Sequence, residues 1–323
     1  MDQRLAPTNR IVAETLRARL AALDNAAASP DGLLVTLTEF DDVRYLLSAE
    51  AATPQLLELS LSLPADPTGE RGAAALPPGA TEAVRGALGA WAALAPSPTP
   101  GYALTLRLDL SLLPPQDREA EVERVASLRS LVQGAQLREL LQQLAAGRPS
   151  PDAAGLLQVV HRPGEAFFAK RSDAEAVTVV FPMRFADAGD ATLARTFLAQ
   201  FAEARRAPAL STTPSCSYSA TAPLELRDAP AAAQPANAGY VSFVVFARHV
   251  AGGEKRVDAA AWALNTFYAF VAMHIKCSKA YMHSHMRKRS LSLLALLNRA
   301  KPEREAKEKK TASGRTFKSR PSA

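Results

Sequence analysis

Cysteine is nearly absent from this chain. Cys216 and Cys277 are the two among 323 residues, with no CxxC pair and no disulfide framework, so a reducing, cytoplasmic compartment is expected. Histidine is scarce too. His274 and Cys277 lie one helical turn apart, half of a metal site, but no second pair at ligand spacing accompanies them. His283 and His285 would point about 200° apart on a helix and cannot share an ion. No P-loop, paired-glycine dinucleotide turn, HExxH or GxSxG occurs. Asp41 and Asp42 are the one adjacent acidic pair considered for catalysis, and side by side in a tight turn they read as turn formers. Glu203, Arg205 and Arg206 close a helix, where arginine suits the negative end of the dipole. The expectation is a non-enzymatic chain with no cofactor, no metal and no small-molecule substrate. Long apolar runs are missing as well. MDQRLAPTNR lacks a signal core, and the most apolar helical stretch, 259–273, contains Asn265 and Thr266 and is too short to span a bilayer.

Acidic residues are missing where basic ones accumulate. From His274 to Arg320 there are fourteen Lys/Arg against three acids, a net +11 in a chain of net +6, so the remainder carries −5. No acid occurs from Lys276 to Pro302. A mildly acidic body ending in a basic arm calls for a polyanionic partner, because clustered like charge repels itself unless something acidic faces it.

The arm reads as one long helix. Gly252 and Gly253 precede it, Pro302 ends it, and no proline interrupts 254–300. Leu264, Tyr268, Val271, Ile275, Met282, Met286, Leu293 and Leu297 fall on one stripe at about 100° per residue. Lys276, Lys279, His283 and Arg287 fall on another, within about 80°. Lys288 and Arg289 extend the acid-free run. A helix of some forty residues cannot bury its stripe against one small domain, so Ile275, Met282, Met286, Leu293 and Leu297 are expected to face a partner helix. Trp91 and Trp262 read as core or interface anchors.

The rest of the chain shows one order twice. Asn9 or Thr8 caps a helix to about residue 23; strands are expected at 33–40, 43–49 and 55–63, a helix capped by Thr81 at 81–94, and a strand at 103–110. Then come a helix over 117–144, strands at 156–161, 165–171 and 176–181, a helix at 190–206 and a strand at 240–246. Stretches at 64–79, 207–223 and 228–238 read as loops. Helix, three strands, helix, strand, repeated, predicts an α+β fold. It has two similar domains of mostly antiparallel sheet and a long C-terminal helix, divided as 1–115, 116–255, 256–300 and a basic tail 301–323.

Particular wording points further. HIKCSKAYMHSHMRKR (274–289), LLNRAKPE (296–303) and GRTFKSR (314–320) resemble the C-terminal end of subunit 2 of the actin-related protein 2/3 complex. NRIVAETL (9–16), VTLTEFDDVRYLLS (35–48), GYALTLRLDLSLLP (101–114), VTVVFPMRF (177–185), FLAQFAEARRA (197–207), PLELRD (223–228) and GYVSFVVFARH (239–249) agree in order. The resemblance implies two α+β domains and a role as an actin-binding structural subunit, paired with subunit 4 and other subunits of the complex. It also implies contact with the mother actin filament in branch nucleation. The filament contact would fall on Lys276, Lys279, His283, Arg287, Lys288 and Arg289. The competing reading is a nucleic-acid-binding arm, against which only Tyr281 and Phe317 offer rings among the basic residues.

Overall fold

The computed structural model describes residues 5–25, 31–64, 76–148, 155–162, 164–172, 175–227, 229, 236–300, 308–310, 312–314 and 316–318. Most of the expected loops at 64–79 and 228–238, and most of the tail, lie outside them. The described residues form two compact units, Met1–Ile275 and Lys276–Ala323.

The first unit holds two five-stranded antiparallel sheets. One contains β1 (Leu33–Thr38), β2 (Arg44–Ala49), β3 (Leu56–Ser62), β4 (Ala92–Leu94) and β5 (Leu104–Asp109) in the order β1-β2-β3-β5-β4. The other contains β6 (Leu156–Arg162), β7 (Glu165–Ser172), β8 (Ala176–Pro182), β9 (Ser215–Ser219) and β10 (Tyr240–Phe246) in the order β6-β7-β8-β10-β9. The two orders are the same, so the repeated element order of the sequence reflects repeated topology.

Register explains the first core. Tyr45 opposes Leu61, Leu47 opposes Leu59, and Leu61, Leu59 and Leu57 oppose Leu104, Leu106 and Leu108. Every second residue thus lands on one face, and all of these are buried. That face is covered by α1 (Arg10–Asp24), α2 (Ala80–Ala87), α3 (Arg118–Ala126) and α4 (Leu128–Gln133), through Val12, Leu16, Val84, Val125, Leu128 and Val132. Asn9 caps α1, its side chain accepting from the Val12 amide.

The second sheet is covered on both faces, in keeping with a β8 that is apolar apart from Thr178 and buried at every position. On one side lie α5 (Ala135–Ala145), α6 (Ala188–Ala204), α8 (Glu254–Asn265) and the start of α9 (Phe267–Arg299), with Phe181, Phe243 and Phe267 packed ring on ring. On the other, Leu226 and Ala229 pack on Phe168 and Val180. The short α7 (Ala247–Val250) follows β10.

Several expected elements are differently bounded. The helix capped by Thr81 begins instead at Ala80, after Gly79 in the left-handed conformation, and stops at Ala87. Residues 92–94 become β4, pairing Ala92 with Leu108 and Leu94 with Leu106. Edge pairing overrides the helix propensity of an alanine-rich stretch there. β9 arises the same way inside the expected loop at 207–223, pairing with β10. The single helix over 117–144 is three, broken at Ser127 and Gly134. A Cβ at Gly134 would come within 2.5 Å of Ser130 O in the preceding turn and 3.2 Å of Asn265 Nδ2 of α8, so glycine is needed at this break. The long C-terminal helix is likewise two, α8 and α9. Thr266 between them has φ −100° and ψ 2°, and its hydroxyl donates to the Trp262 carbonyl, which competes with the helix ladder.

Candidate functional site

The candidate site is the part of α9 in the second unit. α9 has 33 residues, about 50 Å at 1.5 Å per residue. Its first turns carry Tyr268, Val271 and Ile275, all buried in the core of the first unit. From Lys276 to Ala300 every residue is exposed except Lys279, which is half-buried.

This division splits the expected partner-facing stripe. Ile275 is 1% exposed and belongs to the chain's own core, whereas Met282, Met286, Leu293 and Leu297 are 40%, 60%, 61% and 65% exposed. The latter four share one helical face. Tyr281, Leu291, Leu294 and Leu296 are exposed too and were not anticipated. Their signal was the uncharged run SLSLLALLN at 290–298, which puts leucine on more than one side of the last turns. Tyr281 packs on His285, with ring centroids 4.3 Å apart.

The basic residues also divide. A regular helix gathers Lys276, Lys279, His283 and Arg287 on one face, but places Lys288 about 100° beyond Arg287 and Arg289 beside Met282. No carboxylate interrupts 276–300, so the positive field of this segment is unrelieved within it. Arg299 stands in the last turn, where it complements the helix dipole. The tail continues in a short hairpin, β11 (Glu308–Lys310) with β12 (Thr316–Lys318).

Among the described residues no group of three or more His, Cys, Asp or Glu is placed to hold a metal ion, and no helix is long and apolar enough to cross a membrane. His274 and Cys277 do not converge on a site: His274 stacks on Phe197 and meets Phe270 edge-on, while Cys277 is exposed. Cys216 is partly buried, and that burial raises its thiol pKa to about 11, which disfavours the reactive thiolate. Glu203 accepts from Arg206 at 3.0 Å, and Arg205 donates to the Pro214 carbonyl.

Sequence reasoning missed one buried constellation. Asp41 is not a mere turn former; its carboxylate lies between Arg129 of α4 and Arg162 of β6. Arg129 is 1% exposed. It donates to Gln133 at 2.9 Å, to the Phe40 carbonyl at 3.0 Å, to Glu39 at 3.2 Å and to Asp41 at 3.4 Å, and its guanidinium lies 3.8 Å from the Phe40 ring centroid. His161 sits alongside against Tyr268, ring centroids 4.6 Å apart, and burial lowers its pKa to about 3, helped by the positive charges of Arg162 and Arg129. Trp262 is an anchor in this region, its indole donating to the Leu5 carbonyl.

Two five-stranded sheets of the same topology, followed by a long helix exposed from Lys276 onward, define an α+β class of protein. Comparison with known proteins gives that class a family. Residues 76–304 match the family described as "Arp2/3 complex, 34 kD subunit p34-Arc". The chain is 43% identical over 294 residues to Actin-related protein 2/3 complex subunit 2A of Arabidopsis thaliana, covering 91% of this chain and 90% of that one. It is 30% identical over 308 residues to subunit 2 of Schizosaccharomyces pombe (90% and 93% covered) and 31% over 283 residues to subunit 2 of Dictyostelium discoideum (87% and 89%). The chain belongs to the 34 kD subunit family of the Arp2/3 complex.

Proposed function

We propose that this chain is a non-enzymatic structural subunit of the Arp2/3 complex, working in the cytoplasmic actin cytoskeleton. It pairs with subunit 4 through the apolar side chains of α9 and contacts the mother filament through the basic ones. The observation that carries this reading is the exposure of Met282, Met286, Leu293 and Leu297 on an acid-free basic helix, in a chain of this family. Burying those side chains against a partner contributes about 25 cal/mol per Å² of apolar surface before the costs of association. Lys276, Lys279, His283 and Arg287 share a second face, so a partner helix and an acidic filament can be engaged at once. No structural observation favours the nucleic-acid reading. The division at 1–115 and 116–255 is proposed for the domains.

Coexpression with subunit 4, followed by pelleting of the assembled complex with actin filaments, tests the proposal. The chain should gain solubility and melting temperature with its partner, and the complex should pellet with filaments but not be displaced by duplex DNA at equal charge. A chain indifferent to subunit 4, or a complex that stays in the supernatant, overturns it.

A further inference from the structure

Three properties meet at Asp41. The first is conformational. Asp41 and Asp42 have φ 62° and 58°, two successive non-glycine residues in the left-handed region. Such backbone persists only where its surroundings over-determine it. The second is chemical. The buried Asp41 carboxylate accepts from Arg162 Nε at 2.7 Å and faces Arg129 Nη2 at 3.4 Å. The third is topological. Asp41 belongs to the β1–β2 turn of the first sheet, Arg162 to the second sheet, and Arg129 to a helix of the segment joining the sheets. Arg162 lies 5.1 Å over the ring of Tyr268, in the first turn of α9, and Tyr268 donates to the Arg184 carbonyl. One carboxylate therefore ties together the first sheet, the connecting helices, the second sheet and the root of the long helix.

The geometry points to Asp41 as an electrostatic latch between the two sheets. While the carboxylate is seated between the two guanidiniums, the strained turn is held and β6 and the root of α9 are fixed against the first sheet. When it is withdrawn, the turn relaxes and that junction opens as a local unit, with each sheet intact. Strain distinguishes this arrangement from an inert buried ion pair: two left-handed residues favour release, and two arginines oppose it. Asp42 is exposed, so it bears the strained conformation without sharing the buried contacts.

Hydrogen–deuterium exchange on the full chain, free and coexpressed with its complex, tests the latch. Asp41→Asn keeps the shape and removes the charge. Exchange should rise at least tenfold in residues 40–43, 158–162 and 267–275, while the central strands β3 and β8 exchange as in the wild type. A uniform rise through both sheets, or no change anywhere, overturns the proposal. If Asp41→Asn does not fold, Asp42→Gly carries the test. Glycine relieves strain and leaves the carboxylate in place, so exchange should slow in the same three segments alone; equal slowing throughout, or none, overturns it.

Discussion

Arg129 and Arg287 carry the same guanidinium into opposite circumstances. Arg129 is sealed within the first unit, with acceptors within hydrogen-bond reach and the Phe40 ring against its guanidinium. Arg287 stands on an exposed helix in which no acid occurs for more than twenty residues. The first charge is neutralised internally, and its contribution is to hold the sheets in one arrangement. The second meets no ion-pair partner among the described residues, and its field is available to another molecule. Local composition does not separate them; the distribution of acids does.

The comparison breaks most readily at Arg129. Replacing it by alanine removes the cation beside Glu39 and one of the two beside Asp41, which keeps Arg162, in a largely buried setting, an expected loss of about 3–5 kcal/mol. Arg287→Ala should change stability by less than about 0.5 kcal/mol, since nothing buried depends on it. Urea unfolding of the two variants measures both numbers, and equal effects would erase the distinction between the regions.

A smaller effect sharpens it through pH. His161 is held neutral by burial and by the positive charges of Arg162 and Arg129; Tyr268 packs on its ring, and Asp41 and Glu165 act on Arg162. Its folded pKa of about 3 lies below its ordinary 6.5, so between these values the unfolded chain binds a proton that the folded chain does not. The stabilising contribution is complete above about pH 6.5 and is lost as pH falls toward 3. Urea midpoints of the wild type should therefore drop through that window more steeply than those of His161→Phe. Parallel curves would mean the ring is not held neutral by its surroundings.

The arm was legible because charge and hydropathy are one-dimensional properties: a run without acids can be counted. Strands such as VTVVFP and YVSFVVF were legible for a similar reason, being dense in β-branched and aromatic residues. β4 and β9 were not. Their residues are mostly alanine and serine, and only pairing with β5 and β10 makes them strands. The helix break at Gly134 depends in part on a close approach to Asn265, distant in sequence, whereas Thr266 bonds back to Trp262 in its own preceding turn. Asp41 illustrates the limit most clearly. Its local sequence is that of an ordinary acidic turn, and its partners lie 88 and 121 residues away. The second set of leucines on α9 was countable in the sequence, but it lies off the single apolar stripe that helical periodicity defines.

The central proposal is that the basic face of α9 binds filaments by charge while the buried arginines hold the fold. Filament pelleting by the assembled complex across a salt series, comparing the wild type with Lys276→Glu, Lys279→Glu, Arg287→Glu combined, tests it most directly. Wild-type affinity should fall steeply with added salt, because exposed charges are screened beyond about 8–10 Å. The triple variant should assemble and melt like the wild type, and bind weakly at every salt concentration with a flattened dependence. A triple variant that pellets like the wild type at low salt, or one that no longer assembles, would contradict the account.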